Sequence, residues 1–143
     1  MASPADIARE YLEAFNRRDW AKVHAIVHSD YTYTGGDGQE QAGGPEVALG
    51  IMEMYASAFP DVRLQIRRQY TQGETSITEF TYDGTHSGDF MGIVPTGKRV
   101  RGPVIMITDV RDGKIYRERE VVDLAHMLTQ MGVSQIPAAA TAG

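Results

Sequence analysis

The sequence predicts an α+β domain in which helices come first and antiparallel strands follow. Apolar residues recur at helical spacing as far as Pro60, and from Val62 onward they alternate with polar ones. Between two of the alternating runs stands Asp112-Gly113, a strong hairpin signal. A strongly curved sheet wrapped around the helices would leave a cavity between the two layers, where chemistry can sit.

Ser3-Pro4-Ala5-Asp6 opens the first helix. Serine caps free amides, proline at the first position loses no bond, and Asp6 completes a variant capping box. Ile7, Tyr11, Leu12, Ala14 and Phe15 then form one apolar stripe. Asp19 caps a short second helix whose Trp20, Val23, Ile26 and Val27 face the same core. A short strand with Tyr31 and Tyr33 alternating against Thr32 and Thr34 points both phenols the same way. The third helix starts at Gly44-Pro45, carries Leu49, Met52, Tyr55, Ala56 and Phe59, and stops at Pro60.

Val62, Leu64 and Ile66 then mark a half-buried strand, Gln72-Gly73-Glu74 a turn, and Thr75–Thr85 a second strand. Residues 86–97 read as a loop by their glycines and Pro95. The run from Val100 to Val110 is apolar in both parities, which predicts a strand covered on both sides or central in a sheet. After the hairpin turn, Ile115–Val122 returns. Asp123 caps a last short helix with Leu124, Met127, Leu128 and Met131 inward and Gly132 at its end.

The 143 residues, 42% hydrophobic and 23% charged, fit one domain over 1–143. A chain of this size buries roughly 68–70% of its unfolded surface. The alanine- and glycine-rich tail, 134–143, is expected to be mobile. With no cysteine, disulfide scaffolds, thiolate metal sites and cysteine nucleophiles are excluded. A net charge of -5 argues against nucleic acid. No apolar run approaches the ~20 residues of a membrane span, and no secretory signal is recognisable, so a cytoplasmic protein is expected. His24, His28, His86 and His126 show no metal-ligand spacing supported by carboxylates, and no phosphate loop or nucleophile elbow occurs. Neither a metal nor a cofactor is expected.

The final hairpin is the informative region. A two-residue period puts Tyr116, Glu118, Glu120 and Val122 on one face, and a turn centred on Gly113 sets Glu120 across from Met106. A carboxylate among apolar neighbours has its pKa raised toward the range of a general base. The same residues also fit a solvated face on which Glu118 and Glu120 pair with Arg117, Arg119 or another chain's arginines. Asp123 is a second carboxylate, with a cap as its other explanation. His86, at a strand end beside a glycine loop, suits either a proton shuttle or a structural tie.

Several motifs carry a resemblance. Ala14-Phe15-Asn16 with Asp19, His28-Ser29-Asp30-Tyr31, Gly84-Thr85-His86-Ser87-Gly88, Phe90 to Lys98, Asp112-Gly113-Lys114-Ile115, and Asp123 with Gln130-Met131-Gly132 resemble the SnoaL-like polyketide cyclases. The likeness runs from about residue 5 to 133. It implies the nuclear-transport-factor-two-like fold, a cone of curved antiparallel sheet closed by three helices. It further implies cofactor-free intramolecular aldol closure on an aromatic polyketide ester, driven by a carboxylate base that falls on Glu120. Val104 and Met106 stand where such cyclases offer glutamine and histidine, and Tyr33 where they offer asparagine. Tyr33 and His86 are then the polar supports. Phe15, Trp20, Ile51, Phe59, Val104 and Met106 form an apolar wall for a small hydrophobic or aromatic substrate. The resemblance also implies a homodimer. An isomerase or hydrolase on the same cone, or a non-catalytic binder of an apolar ligand, are the alternative readings.

Overall fold

The computed structural model describes residues 2–133; the tail expected to be mobile lies outside the described residues. The elements run α1 (Pro4–Asn16), α2 (Trp20–Ile26), β1 (Val27–Thr34), β2 (Glu40–Ala42), α3 (Pro45–Ala58), β3 (Arg63–Gln72), β4 (Thr75–Thr85), β5 (Arg99–Arg111), β6 (Lys114–Val122) and α4 (Leu124–Gln130). The six strands form one curved sheet in the order β2-β1-β6-β5-β4-β3. This is the α+β architecture that the sequence predicts, with three differences. The three-residue β2 has no alternating apolar pattern to announce it, and all of it is exposed. β1 pairs parallel to β6, although the other strand pairs are antiparallel. Val27, grouped above with the second helix, instead begins β1, and its side chain is buried all the same.

Helix ends form where the side chains can close them. The Asp6 amide donates to Ser3 Oγ at 3.1 Å and the Ser3 amide to Asp6 Oδ2 at 3.0 Å, a reciprocal cap. Asp19 and Asp123 accept from the amides of Lys22 and His126 and start α2 and α4. Asp123 is thus a cap.

Helices and sheet enclose a core that includes Ile7, Leu12, Phe15, Val23, Met52, Phe59, Phe80, Val104, Met106 and Ile115. Two polar side chains clasp helices to strand backbone. Asn16 at the end of α1 donates to the Leu64 carbonyl and accepts from the Leu64 amide, both at 2.8 Å. Gln130 at the end of α4 accepts from the Arg101 amide and donates to the Arg101 carbonyl, both at 2.9 Å. An amide side chain suits this because it presents one donor and one acceptor side by side.

β6 carries the local feature that decides the site. Its pairing with β5 runs Asp109 to Arg117 and then Val110 to Ile115, so Tyr116 is an extra residue, a β-bulge. The bulge resets the alternation. Ile115 and Glu118 are both buried, whereas Tyr116 packs its ring against His28 and under the Arg111 guanidinium. The simple two-residue period, which put Tyr116 on the face of Glu118, fails at that one position.

The Asn16 clasp yields a stability prediction. Asn16→Ala leaves the Leu64 amide and carbonyl unpaired in a partly buried setting, which costs about 1–3 kcal/mol. Urea titration should show a lower midpoint with an unchanged slope.

Candidate active site

Cross-strand register lays the inner face of the sheet out in rows. Ser76, Thr108 and Glu118 form one row across β4, β5 and β6; Thr78, Met106 and Glu120 form the next; Phe80, Val104 and Val122 follow. Polarity therefore falls along the sheet, from a hydroxyl- and carboxylate-bearing end to an apolar one. The Ser76 and Thr108 hydroxyls satisfy each other at 2.7 Å. Glu120 faces Met106, but not through the turn alone: the two-residue loop that pairs Arg111 with Lys114 would set Glu120 opposite Ile105, and the Tyr116 bulge moves it on to Met106.

Between this face and the helices lies a cavity of about 90 Å³, partly open to solvent; the empty space including its mouth reaches about 740 Å³. Phe15, Ile51, Tyr55, Phe59, Phe80, Tyr82, Val100, Val104, Val122 and Met127 supply most of the wall. Glu118 and Glu120 are the only charged residues lining it, again among the described residues.

The two carboxylates are held differently. Glu118 is 3% exposed, and its Oε1 accepts from the Tyr11 hydroxyl at 2.9 Å and the Tyr31 hydroxyl at 2.7 Å. Burial, and then the Glu118 charge, push both phenols well above the usual tyrosine range, so they remain protonated donors. Glu120 is half-buried and borders the cavity. Burial raises its pKa well above the ordinary glutamate value, and the neighbouring Glu118 carboxylate pushes the same way; the Tyr33 hydroxyl beside it pulls back. Burial and then the charge of Glu120 likewise raise the Tyr33 phenol. Gly35 leaves room for this tyrosine, since a Cβ there would come 2.9 Å from the Tyr33 hydroxyl oxygen.

Of the site residues expected from the sequence, Glu120, Phe15, Ile51, Phe59 and Val104 line the cavity. Tyr33 is not part of the lining, although its hydroxyl acts on Glu120. Met106 is fully buried in the sheet beneath it, and Trp20 packs edge-on against Phe15 at 6.0 Å; neither borders the cavity. His86 is also elsewhere. Its ring is fully buried, and Nδ1 accepts from the Thr96 amide at 3.2 Å and lies 2.9 Å from the Thr96 hydroxyl. Its backbone pairs with Lys98 and Gly97. The histidine ties down the 86–97 loop, and its ring lies against Phe59 at 5.5 Å, outside the cavity lining.

Sequence reasoning left out Tyr11 and Tyr31 as partners of Glu118. The signal was present for Glu118, which shares the inward parity of Glu120. It was absent for Tyr11, whose place on the α1 stripe is the same whether or not its hydroxyl meets an acid.

The SnoaL-like polyketide cyclase family matches over residues 5–131. The chain belongs to this family. It is 25% identical over 134 residues to the aklanonic acid methyl ester cyclase DnrD of Streptomyces peucetius, with 92% of each chain covered. Among solved structures it is similar to IdmH, a polyketide-cyclase candidate of Streptomyces antibioticus. That match has 27% identity and a TM-score of 0.81, and covers 92% of this chain and all of the other. A Catenulispora acidiphila protein with a ketosteroid isomerase-like fold superposes with a TM-score of 0.77 at 19% identity, covering 95% of this chain and 100% of its own. The fold is accordingly nuclear-transport-factor-two-like. No described helix is long and apolar enough to cross a membrane.

The raised pKa of Glu120 has a thermodynamic consequence. The folded chain holds this proton to higher pH than the unfolded chain does. The stability it contributes is complete below the ordinary glutamate range and is lost as pH rises through the raised value. Glu120→Gln removes that loss. Thermal melts should show the variant about 2–8 °C above the parent at pH 8, with the two converging near pH 4. Coincident melts at both pH values would contradict the raised pKa.

Proposed function

We propose that this chain closes a ring by intramolecular aldol condensation on a neutral aromatic polyketide ester, with Glu120 as the general base. The observation that carries the proposal is the placement of the Glu120 carboxyl in an apolar cavity next to a second carboxylate. Burial and like charge both make it hold a proton more tightly, which matches a base to an acidic C–H near neutral pH.

In the reaction the Glu120 carboxylate takes a proton from the carbon next to a carbonyl. The C–H electron pair becomes a C–C π bond, and the carbonyl pair moves onto oxygen. The enolate carbon then attacks a second carbonyl of the same molecule, and the alkoxide formed there recovers the proton. Atoms are conserved, so product and substrate are isomers. The aromatic wall of Phe15, Tyr55, Phe59, Phe80 and Tyr82 suits a planar apolar substrate. Two carboxylates at the polar end disfavour an anionic one, which supports an ester over a free acid.

Aklanonic acid methyl ester is the test compound. Chromatography should show conversion to an isomer of the same mass. Glu120→Gln should lower kcat about 10²–10⁴-fold. The parent kcat/KM should rise with pH through an acid limb lying well above the ~4.3 of an unperturbed glutamate. Saturable binding with no product, or an undiminished rate in Glu120→Gln, would contradict the assignment.

We further infer a homodimer formed through the outer sheet face. Outside the cone, Tyr70 pairs in register with Ile77, and Ile105 with Val121, and all four are among the exposed large hydrophobic residues. Such a stripe is what an apolar partner surface covers. Sedimentation should give twice the 15.8 kDa chain mass, and Val121→Glu should return it to the single value. A parent of single mass would overturn the inference.

A further inference from the structure

Enolate formation needs a donor as well as a base, because charge that leaves the C–H bond gathers on the carbonyl oxygen. The sheet offers little: Val104 and Met106 are apolar, and His86 lies outside the cavity lining. The Tyr11 and Tyr31 hydroxyls are committed to Glu118 Oε1. The Tyr33 hydroxyl acts on Glu120 itself, and the Tyr82 hydroxyl lies over Gly102 on β5, where a Cβ would come 2.7 Å from its oxygen. One phenol is left over.

Tyr55 is on α3, in the helix layer facing the sheet that carries Glu120, and both residues line the cavity. Its ring is held against Phe90 at 5.7 Å. Among the described residues its hydroxyl has no hydrogen-bond partner, and Glu120 is the charged group that influences it most. Burial and that charge keep the phenol protonated through the neutral range, so it can donate without ionising.

We propose that the Tyr55 hydroxyl is the hydrogen-bond donor to the enolate oxygen, set across the cavity from the base. This rests on Glu120 as the base. The substrate carbonyl lies between the two, with its acidic C–H toward β6 and its oxygen toward α3. Tyr55 gives up no proton; it stabilises the oxyanion that appears when Glu120 takes one. This assigns to a helix the task that the sequence reading gave to Tyr33 and His86.

The test has two readouts, one of which needs no turnover. With aklanonic acid methyl ester, Tyr55→Phe should lower kcat roughly 10²–10³-fold with little change in KM, while Tyr116→Phe, away from the cavity lining, leaves kcat unchanged. Independently, 2-naphthol titrated into Glu120→Gln protein reports on an oxyanion by the absorption band of its ionised form. Adding Tyr55→Phe in that background should weaken naphtholate binding about 10- to 100-fold. Tyr55→Phe keeps the ring and its contact with Phe90, and a melt matching the parent checks its folding. Equal naphtholate affinity with and without the Tyr55 hydroxyl would overturn the donor role even if Glu120→Gln abolishes turnover. Undiminished turnover in Glu120→Gln would instead remove the base on which the inference rests.

Discussion

The site depends on one constraint, two carboxylates two residues apart on a strand that turns both of them inward. Water solvates a carboxylate far better than an apolar cavity does, so such an arrangement survives only with compensation. Glu118 has it in two phenol donors supplied by α1 and β1. Glu120, bordered by the cavity and by Glu118, has less, and its remedy is to hold its proton. That difference separates an acid satisfied by phenol donors from one that keeps its proton, although both are glutamates on the same face of the same strand.

The bulge at Tyr116 links this constraint to the fold. Without the extra residue, the buried Ile115 and the inward Glu118 would lie on opposite faces of β6. The two ends of the strand meet different neighbours: near the turn its inward side chain belongs to the core, and farther along it belongs to the cavity. Polar clasps fix the cavity walls around it. Asn16 ties α1 to the β3 residue Leu64, itself a wall residue, and Gln130 ties the helix carrying Met127 to β5.

Much of this was legible in the sequence. Capping residues, Pro60 and the change of period at Val62 place the helices and long strands, because each reflects a local preference. The Asp112-Gly113 turn marks the hairpin, but the Met106–Glu120 register also needs the Tyr116 bulge, which shifts β6 by one residue against β5. What was hidden depends on contacts between distant parts of the chain. Tyr11 and Glu118 are 107 residues apart, and an apolar stripe says nothing about where a phenol's oxygen ends. The parallel pairing of β1 with β6 joins segments with no common turn, and β2 is too short and too polar to show an alternation. His86 misled because a histidine beside glycines looks the same whether it serves a cavity or a loop. Asn16 and Gln130 stood out as motif residues, but only coordinates show that they act on backbone.

Burial and then the Glu118 charge hold the Glu120 carboxyl well above the usual glutamate range. Carbon-13 NMR of glutamate carboxyls across a pH series reads this directly, with Glu120 assigned by its loss in Glu120→Gln. The Glu120 carboxyl should titrate well above the ordinary range in the parent and move down in Glu118→Gln. A Glu120 signal that titrates like an exposed glutamate, and does not respond to Glu118→Gln, would contradict it.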